Sequence, residues 1–209
     1  MSGGWLAQLN IGMKRIFIFS IVCLLTVCSY SQEHIKFNGA TFGLPLNEFI
    51  HGFYKMPSKS IESPPKGYDY YLCNHNAYNL DIESNTWTCH IFSSKITDTV
   101  FRTVCVKRYS DLKTNLMFLV KALEDKYGGG VQEKQEDLGE ISSGYGHYYR
   151  EMLALYYYAK GANNQRIGEI RVSCAPLDKE ATYGYIELSY TDYKSRDKAT
   201  REYKKRDTL

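Results

Sequence analysis

Apolar and polar positions alternate along much of this chain, and in two places the period changes to that of a helix. Leu46, Phe49, Ile50 and Phe53 recur at helical spacing behind Pro45, whose fixed φ suits a first turn. Leu112, Leu116, Leu119, Val120, Leu123 and Tyr127 line one face of a longer second helix, with Ser110 or Asp111 as its cap and Gly128 as its stop. Between the two, residues 55–66 are rich in Pro and Ser and read as a loop, whereas 68–109 turn to Tyr, Thr, Val, Ile and Trp broken by turn residues. That composition predicts a meander of antiparallel strands, with turns at Glu83-Ser84-Asn85-Thr86 and around Ile96-Thr97-Asp98. Three further strands are expected over 149–160, 167–174 and 183–191, the last two joined around Pro176-Leu177-Asp178. Ile170, Val172 and Cys174 share one face, as do Ile186, Leu188 and Tyr190, which suits a sheet packed on one side and wet on the other. Residues 128–146, with a Gly triplet and the acidic Glu133, Glu136, Asp137 and Glu140, read as a linker or exposed loop. From Lys194 onward the chain is almost wholly polar, a solvated helix or a frayed end.

The first 31 residues carry a different pattern. Met13-Lys14-Arg15 precedes an apolar run from Ile16 to Val27, the length of a signal-peptide core and short of the ~20 residues that cross a bilayer as a helix. Ser29 and Ser31 are small enough for the −3 and −1 places of a cleavage site, so the mature chain is expected to begin at Gln32. A rival exit is lipidation of Cys28, although Val27 stands where a lipobox has a small residue. Residues 1–12 fit neither exit, and Met13 reads as the true start.

Composition matters chiefly through that leader. Lys14 and Arg15 are its only charged residues, so without them the 26 basic and 23 acidic residues come close to balance. A near-neutral surface gives no electrostatic reason to expect nucleic acid or an anionic membrane as partner. The remaining chain is expected to form one α+β domain over 32–193, with no transmembrane segment and a polar tail over 194–209. Four cysteines stay with it, Cys73, Cys89, Cys105 and Cys174, an even number in an oxidising compartment. If the two turns fall as predicted, Cys89 and Cys105 stand nearly opposite on adjacent strands, which favours that pair and leaves Cys73 with Cys174, as a second bridge or as two buried thiols.

Tyr109-Ser110-Asp111-Leu112-Lys113 echoes Tyr190-Thr191-Asp192-Tyr193-Lys194, each closing a strand and opening a helical segment, which suggests two strand-strand-helix halves, about 32–128 and 147–193. With Phe37-x-Gly39, Phe42-Gly43-Leu44-Pro45-Leu46-x-x-Phe49, Leu123-x-x-Lys126-Tyr127-Gly128 and Tyr190-x-Asp192, the chain resembles uncharacterised small secreted or periplasmic α+β proteins of Gram-negative bacteria. Their helix-plus-meander repeats are similar to β-lactamase-inhibitor-like folds. The resemblance implies a fold, a mainly antiparallel twisted sheet with two helices on one face, and a periplasmic or secreted location. It carries over no catalytic residue.

Candidate chemistry is sparse. Cys73-x-His75 with Cys89-His90 is the one cluster of metal-ligand type, but its spacing matches no zinc signature and at most three of the four could converge from strands. His34, His51 and His147 are scattered, and no Ser, His and acid set has a nucleophile elbow. Asp81 with Glu83, and Glu169 with Glu187, are carboxylate pairs of the kind that arise on any wet sheet face. Gly128-Gly129-Gly130 follows a helix and lacks the Lys-Ser/Thr of a phosphate loop. No cofactor is expected. The remaining bias is 19 tyrosines. Tyr156, Tyr157 and Tyr158 cannot all face one core, so some lie on the open face of the sheet, where tyrosines give rigid contact area for a protein or stack on sugar rings. The expectation is a non-enzymatic binding or interaction domain working in the cell envelope through Tyr156, Tyr158, Tyr183 and Tyr185. The alternatives are a carbohydrate-binding module that adds Trp87 and, behind it, an envelope hydrolase.

Overall fold

The computed structural model describes residues 33–63, 72–82, 85–132, 141–142, 148–149, 153–177 and 182–207. The expected leader, Tyr68, Tyr70, Tyr71, Glu83, the acidic residues of 133–140 and His147 lie outside these.

The expected α+β class is what forms: a large antiparallel sheet with three α-helices among the described residues. The chain opens with a short hairpin, β1 (Lys36–Phe37) and β2 (Ala40–Thr41), then α1 (Leu46–His51) and β3 (Ser58–Ser60). Next come β4 (Cys73–Ile82), β5 (Asn85–Ser94), β6 (Val100–Tyr109) and α2 (Leu112–Tyr127). After two-residue strands β7 (Val131–Gln132), β8 (Ile141–Ser142) and β9 (Tyr148–Tyr149) follow β10 (Leu153–Lys160), β11 (Arg166–Pro176), β12 (Gly184–Asp192) and α3 (Tyr193–Asp207). The main sheet runs β3-β4-β5-β6-β12-β11-β10-β7. Two meanders thus meet along β6 and β12, with Cys105 opposite Leu188 and Thr103 opposite Tyr190.

Strand alternation sorts the side chains as the sequence pattern requires. Trp87, Cys89 and Ile91, Ile170, Val172 and Cys174, and Ile186, Leu188 and Tyr190 enter one core cluster. Phe49 of α1 and Leu112 and Leu123 of α2 enter the same cluster. The long helix begins where expected, the Asp111 carboxylate accepting from the Thr114 N–H at 3.1 Å, and Gly128 ends it at φ 84°.

Three local readings change. β3 lies inside the segment read as loop, because its pairing comes from Ala77 to Asn79 of β4 and not from its own polar sequence. The segment read as linker holds β7, which pairs with Leu155 and Tyr156, and β8, which pairs with β9. The polar tail takes the helical option: Ser195 and Ala199 are buried, the Tyr193 hydroxyl donates to Glu169, and Glu202 accepts from Ser94 and Thr97 in the β5–β6 turn. A helix with only two small buried residues has almost no hydrophobic signal, so its docking rests on hydrogen bonds.

Candidate functional site

The tyrosines divide by strand parity. Tyr157 is 1% exposed and points into the core, whereas Tyr156 and Tyr158 point to the opposite, outer face and are half-buried there. Tyr185, opposite Arg108 on β6, shares that outer face, and Tyr183 is half-buried just ahead of β12. Each expected contact tyrosine save Tyr185 has an arginine over its ring: Arg171 lies 6.0 Å from the Tyr156 centroid, Arg166 3.8 Å from Tyr158 and Arg108 5.3 Å from Tyr183. Arg171 also donates to Ser173 and to Glu187, its neighbour on β12. Of the carboxylate pairs, Glu169 is occupied by the Tyr193 hydroxyl and Glu187 by Arg171. Trp87 does not join this face. It is 5% exposed and packs edge-on against Tyr109 within the core, since its parity follows Cys89.

Cys89 and Cys105 form a disulfide from directly opposed positions on β5 and β6, their Cα atoms 4.1 Å apart, the separation of a close non-hydrogen-bonded pair. Cys174 lies in the main core, and Cys73 lies on the outer face with Phe92 and Val104. The sheet separates them, and no bridge joins them. The zinc reading loses Cys89, which is oxidised and faces the core, and no metal-binding group of three or more His, Cys, Asp or Glu residues occurs among the described residues.

The two histidines of that cluster do meet. His75 Nε2 and His90 Nδ1 are 3.0 Å apart, and ring centroids 5.2 Å apart with planes inclined by 24° put the two imidazoles edge to edge, one donating to the other. His90 is 3% exposed, and burial, with the neighbouring His75, pushes its pKa from 6.5 down to about 4. Burial lowers His75 in the same direction. The unfolded chain then holds more protons than the folded one between pH 6.5 and about 4, so stability falls on acidification through that window. We expect urea midpoints to show a loss of roughly 2 kcal/mol from pH 7 to pH 4 attributable to this pair. The profile of His90→Asn should be flatter over the same range, and an unchanged slope would refute the assignment.

A constellation absent from the sequence reading joins the two ends of the described chain. Asp192, fully buried, accepts from His34 Nδ1 at 2.9 Å, from the Ile35 N–H at 3.1 Å, and from the Ser195 N–H and hydroxyl at 2.9 and 2.6 Å. His, Asp and Ser are the residue types of a hydrolytic triad, but the geometry is that of a helix cap. Ser195 approaches the nitrogen that already faces the aspartate, and both press on the same carboxylate oxygen, so the imidazole has no second nitrogen toward the hydroxyl. The sequence signal was Asp192-x-x-Ser195 at the start of α3; the His34 partner, 158 residues away, had none. Gly43, at φ 88°, leaves space for that imidazole, since a Cβ there would lie 2.8 Å from its ring.

A cleft of about 790 Å³ opens between the β1–β2 turn, the last turn of α2 and the end of β10. Lys36, Lys126 and Lys160 reach it from those three elements, with Tyr54, Tyr127 and Tyr158 between them. No family model, no curated protein and no solved structure matches the chain. No helix among the described residues is long and apolar enough to cross a membrane.

Proposed function

We propose that this is an exported, non-enzymatic protein-interaction domain whose contact surface is the outer face of the second meander. The observation that carries the reading is the set of tyrosine–arginine pairs on that face, Tyr156 with Arg171, Tyr158 with Arg166 and Tyr183 with Arg108. Tyr and Arg are the residues most enriched where proteins bind one another, because each offers a large, stiff, partly polar surface that loses little entropy on contact. Tyr185 and the Arg171–Glu187 pair extend the patch. The carbohydrate reading ranks behind it. A sugar ring needs a bare aromatic face, yet the Arg166 guanidinium covers Tyr158 and Trp87 is in the core.

Export is supported by the Cys89–Cys105 disulfide, which persists in an oxidising compartment, and by the leader pattern of residues 13–31. Two strand-strand-helix halves are supported by the strand order, in which β4-β5-β6 and β10-β11-β12 meet antiparallel. Two helices on one face are supported by the shared cluster of Phe49, Leu112 and Leu123. That arrangement keeps the proposed kinship with the small secreted α+β proteins.

A photo-crosslinking residue at position 156 or 185 is expected to give one discrete adduct in cell-envelope extract, and the same residue at position 118 none. Tyr156→Ala with Arg171→Ala should weaken capture at least tenfold at unchanged melting temperature. Soluble glycans should leave the melting temperature where it is. Equal adducts at 156 and 118, or a shift with glycan, would overturn the reading.

A further inference from the structure

The cleft has a different chemistry from the outer face. Its floor is apolar: Ile35 and Ile167 are 2% and 6% exposed, and Ile82 and Ala159 are half-buried beside them. Its rim is cationic, with Lys36, Lys126 and Lys160 all exposed, and no carboxylate is among its described lining residues. Three ammonium groups converge from strands and a helix far apart in sequence, so this is a property of the fold and not of a local charge run. Like charges on one rim repel, and no described lining residue is an anion that offsets them.

A second observation points the same way. Asn38, in the β1–β2 turn, lines the cleft, and its buried side-chain NH₂ has no hydrogen-bond acceptor among the described residues. A buried amide donor left without an acceptor is destabilising. The turn is held in place for it: Asn38 is at φ 46°, its carbonyl accepts from the Tyr54 N–H at 3.2 Å, and a Cβ on Gly39 would meet the Gly52 carbonyl at 2.8 Å. The described polar groups facing the space are therefore mainly donors, and the surface beneath them is hydrocarbon. The volume is in the range of small-molecule sites.

We propose that this cleft binds a single-headed anionic amphiphile, its apolar part against Ile35, Ile167 and Ala159 and its carboxylate or phosphate head among Lys36, Lys126 and Lys160. The head takes the Asn38 amide proton as an acceptor, and Tyr54, 83% exposed at the mouth, lies along the exposed side of the chain. Asn38 contributes direction and the lysines attraction; attraction at an exposed rim is screened by salt. The proposal is independent of the tyrosine–arginine face, which lies on other side chains save for Tyr158.

Isothermal titration of the full chain with octyl phosphate, octanoate, octanol and inorganic phosphate, each below any micelle concentration, tests it. One site per chain is expected for octyl phosphate, weakening at least fivefold between 50 and 300 mM salt, with phosphate alone and octanol at least tenfold weaker. Octanoate equal to or tighter than octyl phosphate assigns a carboxylate head; the reverse order assigns a phosphate. Lys36→Ala with Lys160→Ala should weaken binding at least tenfold, and Ala159→Phe, which fills the floor without changing charge, should abolish it. The melting temperature of each variant is measured and binding is compared at a temperature where all of them are folded, so loss of fold is separated from loss of site. Equal binding of octanol, equal binding of inorganic phosphate, no binding of either amphiphile, or undiminished binding by a folded Ala159→Phe would overturn the proposal.

Discussion

Asp192→Ala is expected to destabilise the domain by about 3 kcal/mol, the largest effect of any single polar substitution described above. The carboxylate is fully buried and accepts four hydrogen bonds, two of them from backbone N–H groups, Ile35 and Ser195, that have no water to turn to. Removing a cap alone costs about 1 kcal/mol, and each buried donor left without an acceptor adds about as much or more. Asp192→Asn should fall between wild type and Ala, because one oxygen can still face Ile35 while the new amide opposes the Ser195 donors. Urea unfolding measures the loss, and amide exchange should show it concentrated at residues 33–37 and the first turn of α3. A uniform rise in exchange across β4 and β5 would contradict a local latch.

Loss of the Cys89–Cys105 bridge should cost a similar amount, by another route. The bridge closes a loop of 16 residues in sequence, and a loop of that size is worth about 3 kcal/mol through the entropy it removes from the unfolded chain. Both cysteines are inaccessible to solvent and packed among core residues. A reductant added to native protein should therefore act no faster than global unfolding, while protein unfolded and reduced should refold with a lower urea midpoint. Cys89→Ala with Cys105→Ala should reproduce that midpoint. A midpoint within error of wild type would mean that the tight β5–β6 hairpin already holds the two strands together when unfolded.

What the sequence disclosed was what repeats locally. Ile170, Val172 and Cys174 reveal a strand because alternation is written into neighbouring residues, and Leu112 to Tyr127 reveals a helix in the same way. The Cys89–Cys105 pair was legible because it spans a single hairpin, whose turns fix the register. The disulfide and the α+β class are what the structure bears out. Features assembled across the chain were not legible. β3 takes its strand form from Ala77 to Asn79, Trp87 goes inside by its parity with Cys89, and His34 finds Asp192 only once β12 is in place. The cleft draws lysines from three separated segments, none of which is basic by itself.

The seam between β6 and β12 sets the order in which this molecule can become itself. The first meander holds its disulfide and its own hairpins, yet the strand that completes the middle of the sheet comes after β10 and β11. Pairing so remote in sequence forms slowly, and here it cannot form before the chain has been made as far as β12. If the chain is exported as proposed, a translocation channel that accepts only unfolded chains meets it while its central joint is still open, and the fold closes on the far side.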